Sequence, residues 1–198
     1  MIKYKDIPHY IDCVLLIFTS KYWSLLNRSL ASYRGVIIGP LCLFRGCCIF
    51  RRLPNTSIEF GNSCSFNSSH SSNLIGVYSP CMFSTLNRNA EIKIGNSCGF
   101  SGTVIAAAKS IKLGDNVRCG ANTMITDTDW HTDDLRTGKD AAVIIGDNVW
   151  LGYGVKVLKG VSIGENSLIG AGSIVTRDIP ANVVAAGNPC KVIKNLFK

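Results

Sequence analysis

The polar segment Asp127-Thr-Asp-Trp-His-Thr-Asp-Asp sets His131, one of three histidines in 198 residues, among four carboxylates. Neutral imidazole has a pKa near working pH, so it can take a proton from an attacking hydroxyl or amine. Such a base needs an acceptor for its second N–H, which fixes tautomer and tilt. Asp127 and Asp129 are the nearest candidates, with Asp133 and Asp134 also in reach of the segment. A solitary loop histidine is otherwise an ordinary solvated residue. His9 and His70 fall in no pattern and read as structural or solvated. The three histidines are spread too far for a three-histidine metal site, and no CxxC or Cys/His cluster has metal-ligand spacing.

The elements that must position His131 are written in sixes. From Ile145 the chain reads Ile-Gly-Asp-Asn-Val-Trp, Leu-Gly-Tyr-Gly-Val-Lys, Val-Leu-Lys-Gly-Val-Ser, Ile-Gly-Glu-Asn-Ser-Leu, Ile-Gly-Ala-Gly-Ser-Ile and Val-Thr-Arg-Asp-Ile-Pro180. Each hexad opens on Ile, Leu or Val, four of the six continue with Gly, and the fifth position is small or β-branched. A period of six suits neither a helix nor a flat strand over such a length. It suits a chain that makes a short strand, turns a corner and repeats, three sides to a coil. The apolar residue points into a shared core, and Gly and Asn are expected to round the corners with φ > 0.

The pattern begins in degenerate form at Val36, with Ile38-Gly39, Phe44, Ile58, Phe60-Gly61, Phe66 and Ile75-Gly76 as fragments, and Arg51 to Asn55 as a loop between coils. It is clean at Ile94, Phe100, Leu113, Cys119 and Ile125; Ile94 to Leu113 is 19 residues, one more than a coil of three hexads. Ile125 plus three hexads reaches 143, whereas the stripe restarts at Ile145. The segment between is polar and must leave the core as a loop, and that loop carries His131.

Length favours one domain, and 46% apolar with 17% charged residues is a globular balance. Nine cysteines, an odd number with no leader pattern before them, read as reduced core thiols of a cytoplasmic protein. Residues 1–52 hold eight basic side chains against two acidic ones, and Lys191, Lys194 and Lys198 make the other end basic. Basic ends favour a small anion or a membrane surface; no nucleic-acid motif accompanies them. Residues 7–30 show apolar steps of three and four, which predicts one or two amphipathic helical pieces. They cap the open end of the array, or they lie on the inner membrane surface as a peripheral contact through residues 1–35. The longest apolar run there is too short to span a bilayer.

The repeat, the His-bearing loop, the string Asn148-Val-Trp-Leu-Gly152 and the closing Gly170-Ala-Gly-Ser-Ile-Val-Thr-Arg-Asp-Ile-Pro…Ala186-Gly-Asn-Pro189 resemble the hexapeptide-repeat acyltransferases, in the branch of galactoside, maltose and polysaccharide O-acetyltransferases. Specific motifs cover residues 113–194; the likeness over 36–112 is of repeat type only. The resemblance implies an all-β fold, a left-handed parallel β-helix over 36–187 with a loop inserted at 127–143. A helical cap over 1–35 and a basic segment over 188–198 would flank it. It implies a homotrimer with acetyl-CoA, and no metal, in the groove between neighbouring prisms.

His131 matches the family's catalytic histidine, with Asp127 or Asp129 to orient it. Gly152 or Tyr153 matches the place of the backbone donor to the oxyanion. Tyr153 departs from the small residue usual there. Trp150 would flank the cofactor, Ala171, Thr176 and Arg177 match positions along its pantetheine arm, and Lys191 and Lys194 match the basic tail that meets its phosphates. The implied reaction is acetyl transfer to a sugar hydroxyl. The coil before the loop, Phe100-Ser-Gly-Thr-Val-Ile-Ala-Ala-Ala108, lacks the acidic and amide groups of the small-galactoside enzymes, so their acceptor does not carry over; a polysaccharide or its precursor, which suits the basic N-terminus, is the expected carbohydrate acceptor. An amino-sugar N-acetyltransferase and a non-catalytic β-helix scaffold are the alternatives.

Overall fold

The computed structural model describes residues 7–131 and 133–196; Lys3, Lys5 and Lys198 and the His9 side chain fall outside that description. Short strands stack into three sheets, all parallel except for one closing antiparallel pair. The inward ladder of the first face is Ile38–Phe60–Ile94–Leu113–Ile145–Ile163. The second face stacks Phe44–Phe66–Phe100–Cys119–Leu151–Ile169. The third stacks Phe50–Phe83–Ile105–Ile125–Val157–Val175. The hexads predict the three-sided coils, and the architecture is the left-handed parallel β-helix that the resemblance implies. The early coils fill it with phenylalanine, Phe44 lying flat on Phe66 at 4.3 Å between ring centres. The later coils use Ile, Leu and Val.

The corner from first to second face is the regular one. Along each ladder pair that it joins, Ile38 to Phe44 through Ile163 to Ile169, the spacing is always six residues. The glycine of each hexad serves a different purpose here from the one expected. Gly114 and Gly164 do not have positive φ. A Cβ on Gly114 would collide with the Asp147 carboxylate, and one on Gly164 with the Ala181 backbone of the next coil. Close stacking of coils demands glycine there, and the left-handed conformation passes to Asn116, Asn148, Asn166 and Asn182, with φ of 56°, 57°, 58° and 61°. Their side-chain amides donate from one to the next at 3.0 Å, so the corner carries its own hydrogen-bond ladder. At the second-to-third corner glycine does take positive φ, at Gly154 and Gly172.

Five cysteines explain themselves in this frame. Cys42, Cys64 and Cys98, and Cys48 and Cys81, occupy the small fifth position of their hexads and are buried free thiols. Burial pushes the thiols of Cys48 and Cys119 well above their usual range, so these are core fillers rather than nucleophiles.

All the irregularity sits at the other two corners. The alternating fragment Ile75-Gly76 is not repeat: it lies in an insertion between Phe66 and Phe83, Ile75 is exposed, and His70–Ser72 forms a 3₁₀ turn. The loop bearing His131 is longer than the arithmetic of coils suggested. Ile125 closes the third side of its coil, so the next hexad was due at 131; it starts at Ile145, and the insertion is 14 residues, not two.

Among the described residues one helix, α1 (Ile7–Tyr33), precedes the prism. Its second half caps the first coil. The fully buried Asn27 donates to Gly46 O at 3.0 Å and accepts from the Cys48 N–H at 2.7 Å. Arg28 donates to Gly39 O at 3.0 Å, and the Phe44 N–H donates to Ser24 Oγ at 3.1 Å. The first half, Ile7 to Phe18, leaves its apolar side chains exposed. No described helix is long and apolar enough to cross a membrane. The basic C-terminal segment is a strand, Lys191–Asn195, antiparallel to Val183–Ala186 on the second face.

Candidate active site

The insertion that carries His131 is anchored at its neck. The Asp127 carboxylate is fully buried and accepts three backbone N–H groups, from Ala108 at 2.6 Å on one oxygen and from Lys109 and Ser110 at 2.8 and 2.7 Å on the other. Its carbonyl accepts the Ala141 N–H at 3.0 Å, and the Ala141 carbonyl accepts the Gly160 N–H at 2.8 Å, so entry, exit and the next coil are tied together. Further out, the Lys159 ammonium pairs with Asp129 and donates to Gly138 O at 2.8 Å, while the Gly138 N–H donates to Asp129 at 3.2 Å. Lys159 holds the Asp129 carboxyl below the usual carboxylate range.

The excursion between these ties presents Trp130 and His131 among its exposed residues. Trp130 adopts φ +70°, a left-handed conformation unfavourable for a bulky residue, and strain of this kind concentrates at functional sites. His131 follows, exposed, its backbone locked by its N–H to Asp129 O at 2.9 Å. Its own carbonyl accepts the Asp134 N–H at 3.1 Å and the Thr137 hydroxyl at 3.0 Å. Among the described residues its imidazole has no hydrogen-bond partner.

The carboxylates proposed to orient that imidazole are committed elsewhere. Asp127 is spent on three backbone donors inside the neck, and Asp129 on Lys159. Asp134 is held by the Arg136 guanidinium, which keeps its carboxyl below the usual range. Asp127 and Asp129 therefore shape the loop, and neither touches the ring. Lys159 escaped the sequence reading because a lysine at a hexad corner looks like any solvated charge; only the fold brings it under the loop.

The remaining candidates divide between two edges of the prism. Thr176 and Arg177 are exposed at the third-to-first corner, the edge that also carries the His131 loop. Gly152, Tyr153 and Ala171 lie at the second-to-third corner, Trp150 is exposed on the second face, and Lys191 and Lys194 are on the strand added to that face. One chain by itself does not bring the two edges together. The second-to-third edge nonetheless has the chemistry expected of it. The amide N–H groups of Tyr153 and Ala171 make no hydrogen bond among the described residues, and nothing lies within 4 Å of where Cβ atoms on Gly154 and Gly172 would be. The Tyr153 hydroxyl donates to Tyr78 at 2.7 Å, which raises the Tyr78 pKa. The second insertion, which the sequence did not reveal, is thereby strapped to this edge; Asn122 also donates to Gly76 O at 2.8 Å and accepts the Tyr78 N–H at 3.0 Å. No group of three or more described His, Cys, Asp or Glu could hold a metal.

Residues 142–177 match the family described as bacterial transferase hexapeptide (six repeats). Galactoside O-acetyltransferase from Escherichia coli K12 is 46% identical over 91 residues, 44% of this chain and 45% of that protein. The enzyme of the same name from Lactococcus lactis is 52% identical over 91 residues, 43% of this chain and 44% of that one. The matched region thus spans less than half the length of these relatives. Among solved structures, a variant of AntD, an N-acyltransferase from Bacillus cereus in complex with dTDP and coenzyme A, superposes with a TM-score of 0.65 at 18% identity, over 85% of this chain and 88% of that one. That likeness is one of fold.

Proposed function

We propose that this chain is an acetyl-CoA-dependent O-acetyltransferase acting on a saccharide hydroxyl, with His131 as general base. The observation that carries the reading is an insertion tied at its neck whose His131 is exposed and whose imidazole has no partner among the described residues. Neutral imidazole takes the hydroxyl proton as the acceptor oxygen bonds to the thioester carbonyl carbon. The oxyanion that develops is met by backbone N–H donors, for which Tyr153 and Ala171 are available. Collapse of the tetrahedral adduct breaks the C–S bond, and the imidazolium returns its proton to the departing sulfur. The two O-acetyltransferase relatives favour oxygen over nitrogen as the acceptor atom.

Because His131 and the Tyr153 edge lie on different corners, the complete site requires a neighbouring copy, and a homotrimer supplies one at each groove. Lys191 and Lys194, exposed on the outermost strand, suit the phosphates of the donor. A polysaccharide precursor as acceptor, and a cytoplasmic protein touching the inner membrane through residues 1–35, complete the proposal; the exposed apolar half of α1 supports the latter.

The test is His131→Ala, followed by release of CoA thiol in the presence of sugar acceptors. The expected loss in kcat is about 10²- to 10⁴-fold with Tm unchanged, since the ring has no partner to lose. Undiminished turnover by the folded variant removes His131 from the chemistry.

A further inference from the structure

Beside the His131 loop, on the third face of the first two coils, is a groove of about 530 Å³ whose lining includes Arg34, Arg51, Arg52, Ser84, Thr85 and Trp130. We propose that this groove is the acceptor subsite and that the acceptor is an anionic saccharide, its carboxylate or phosphate seated on the arginines and a sugar ring lying against Trp130. The proposal rests on the O-acetyl reading and adds to it the class of acceptor.

Three observations carry it. Among the described residues the groove has three guanidinium groups and no carboxylate in its lining. Arg34 and Arg51 form no side-chain hydrogen bond or ion pair among the described residues, so their donors are uncommitted. Arg52 is their fixed neighbour. It donates to Arg34 O at 2.7 Å, to Thr56 O at 2.9 Å and to Leu53 O at 3.3 Å, and so it holds the end of α1 against the first coil and keeps the charges together. Like charges gathered without counter-charge repel one another, and an anion that takes several charge-assisted hydrogen bonds relieves that repulsion. The hydroxyls at the floor are placed in the same way. Thr85 accepts the Leu53 N–H at 3.0 Å and shares a 2.8 Å contact with the Thr56 hydroxyl, while Ser84 Oγ has no partner among the described residues.

Trp130 supplies the other wall. It is 54% exposed, held at φ +70°, and adjacent in sequence to His131, so a ligand packed on the indole lies next to the base. Its loop is also tied to this part of the prism, where the Asn87 amide donates to Asp140 at 3.1 Å. An indole offers a broad apolar face of the kind that covers the C–H face of a pyranose. Anchoring the anion on the arginines and the ring on Trp130 converts an encounter with a free hydroxyl into a positioned one.

The experiment measures CoA release with matched acceptors: galactose against galacturonate for the carboxylate, and galactose against galactose 1-phosphate for the phosphate. At least one anionic member is expected to exceed its neutral partner about tenfold or more in kcat/KM. Arg34→Ala and Arg51→Ala are each expected to raise KM for that anion about tenfold, with KM for acetyl-CoA, Tm and the oligomer mass unchanged. Arg51→Lys should recover part of the loss. Calorimetric titration of the same anions into the full-length protein should show binding that Arg51→Ala weakens. Equal or better turnover of neutral sugar overturns the anionic acceptor while leaving the acetyltransferase reading intact, as does an Arg51→Ala variant that changes oligomer mass instead of KM. If no acceptor yields CoA release, the acetyltransferase reading fails, and the titration decides the groove separately: no anion binding overturns it too.

Discussion

Asp127→Asn separates two roles for one carboxylate that sequence position alone confounds. In the structure both oxygens are consumed inside the neck of the loop, one by Ala108 and the other by Lys109 and Ser110. An amide can keep one oxygen on the pair from Lys109 and Ser110, but its NH₂ then faces the Ala108 N–H, donor against donor. Two charge-assisted bonds become neutral ones, and a buried N–H loses its acceptor. With about 1.5–3 kcal/mol for a bond to a charged group, about 0.5–1.5 for a neutral one and about 1–3 for an orphaned donor, the change costs about 3–5 kcal/mol. At about 2–4 °C per kcal/mol for a chain of this size, Tm should fall by about 10 °C. At a temperature where the variant is folded, kcat should stay within about threefold of the parent, because the carboxylate does not reach the imidazole. Differential scanning fluorimetry and CoA release read the two quantities on one sample. A variant with unchanged Tm and kcat reduced a hundredfold would refute the reasoning and return Asp127 to the role of orienting His131.

Two further outcomes follow from the same contacts. Asn27→Ala leaves the buried Cys48 N–H and Gly46 C=O without partners, at a cost of about 2–5 kcal/mol, and limited proteolysis should then cut within α1 before the prism is attacked. Lys159→Ala releases Asp129 and Gly138, so hydrogen exchange over 129–141 should quicken and kcat should fall about tenfold. Lys159 depresses the Asp129 pKa, so the ordering it confers is complete above the unfolded value near 3.9 and fades as pH falls through the lower folded value. Lys159→Ala should abolish that acid step in the exchange profile; an unchanged profile refutes the assignment.

The hexads determined the fold because the period of the inward residue is local. Ile145, Leu151, Val157 and Ile163 announce a three-sided prism without reference to anything distant, and the register break announces that the segment with His131 leaves it. The early coils were harder to read. Phenylalanine and cysteine replace the usual aliphatics, and the insertion around Ile75 mimics a hexad that points outward.

Sequence likewise proposed Asp127 and Asp129 as partners of His131, since both are near it along the chain. The tertiary structure decided otherwise, because stacking places Ala108 to Ser110 from the coil below beneath Asp127, and Lys159 from the coil above beside Asp129. It alone gathered Arg34, Arg51 and Trp130, separated by up to 96 positions, around one groove. Residue types and periods are written along the chain and can be read there. The neighbours of a charge depend on how many residues each corner inserts, and in this prism the insertions set which coil, and which edge, every charged side chain meets.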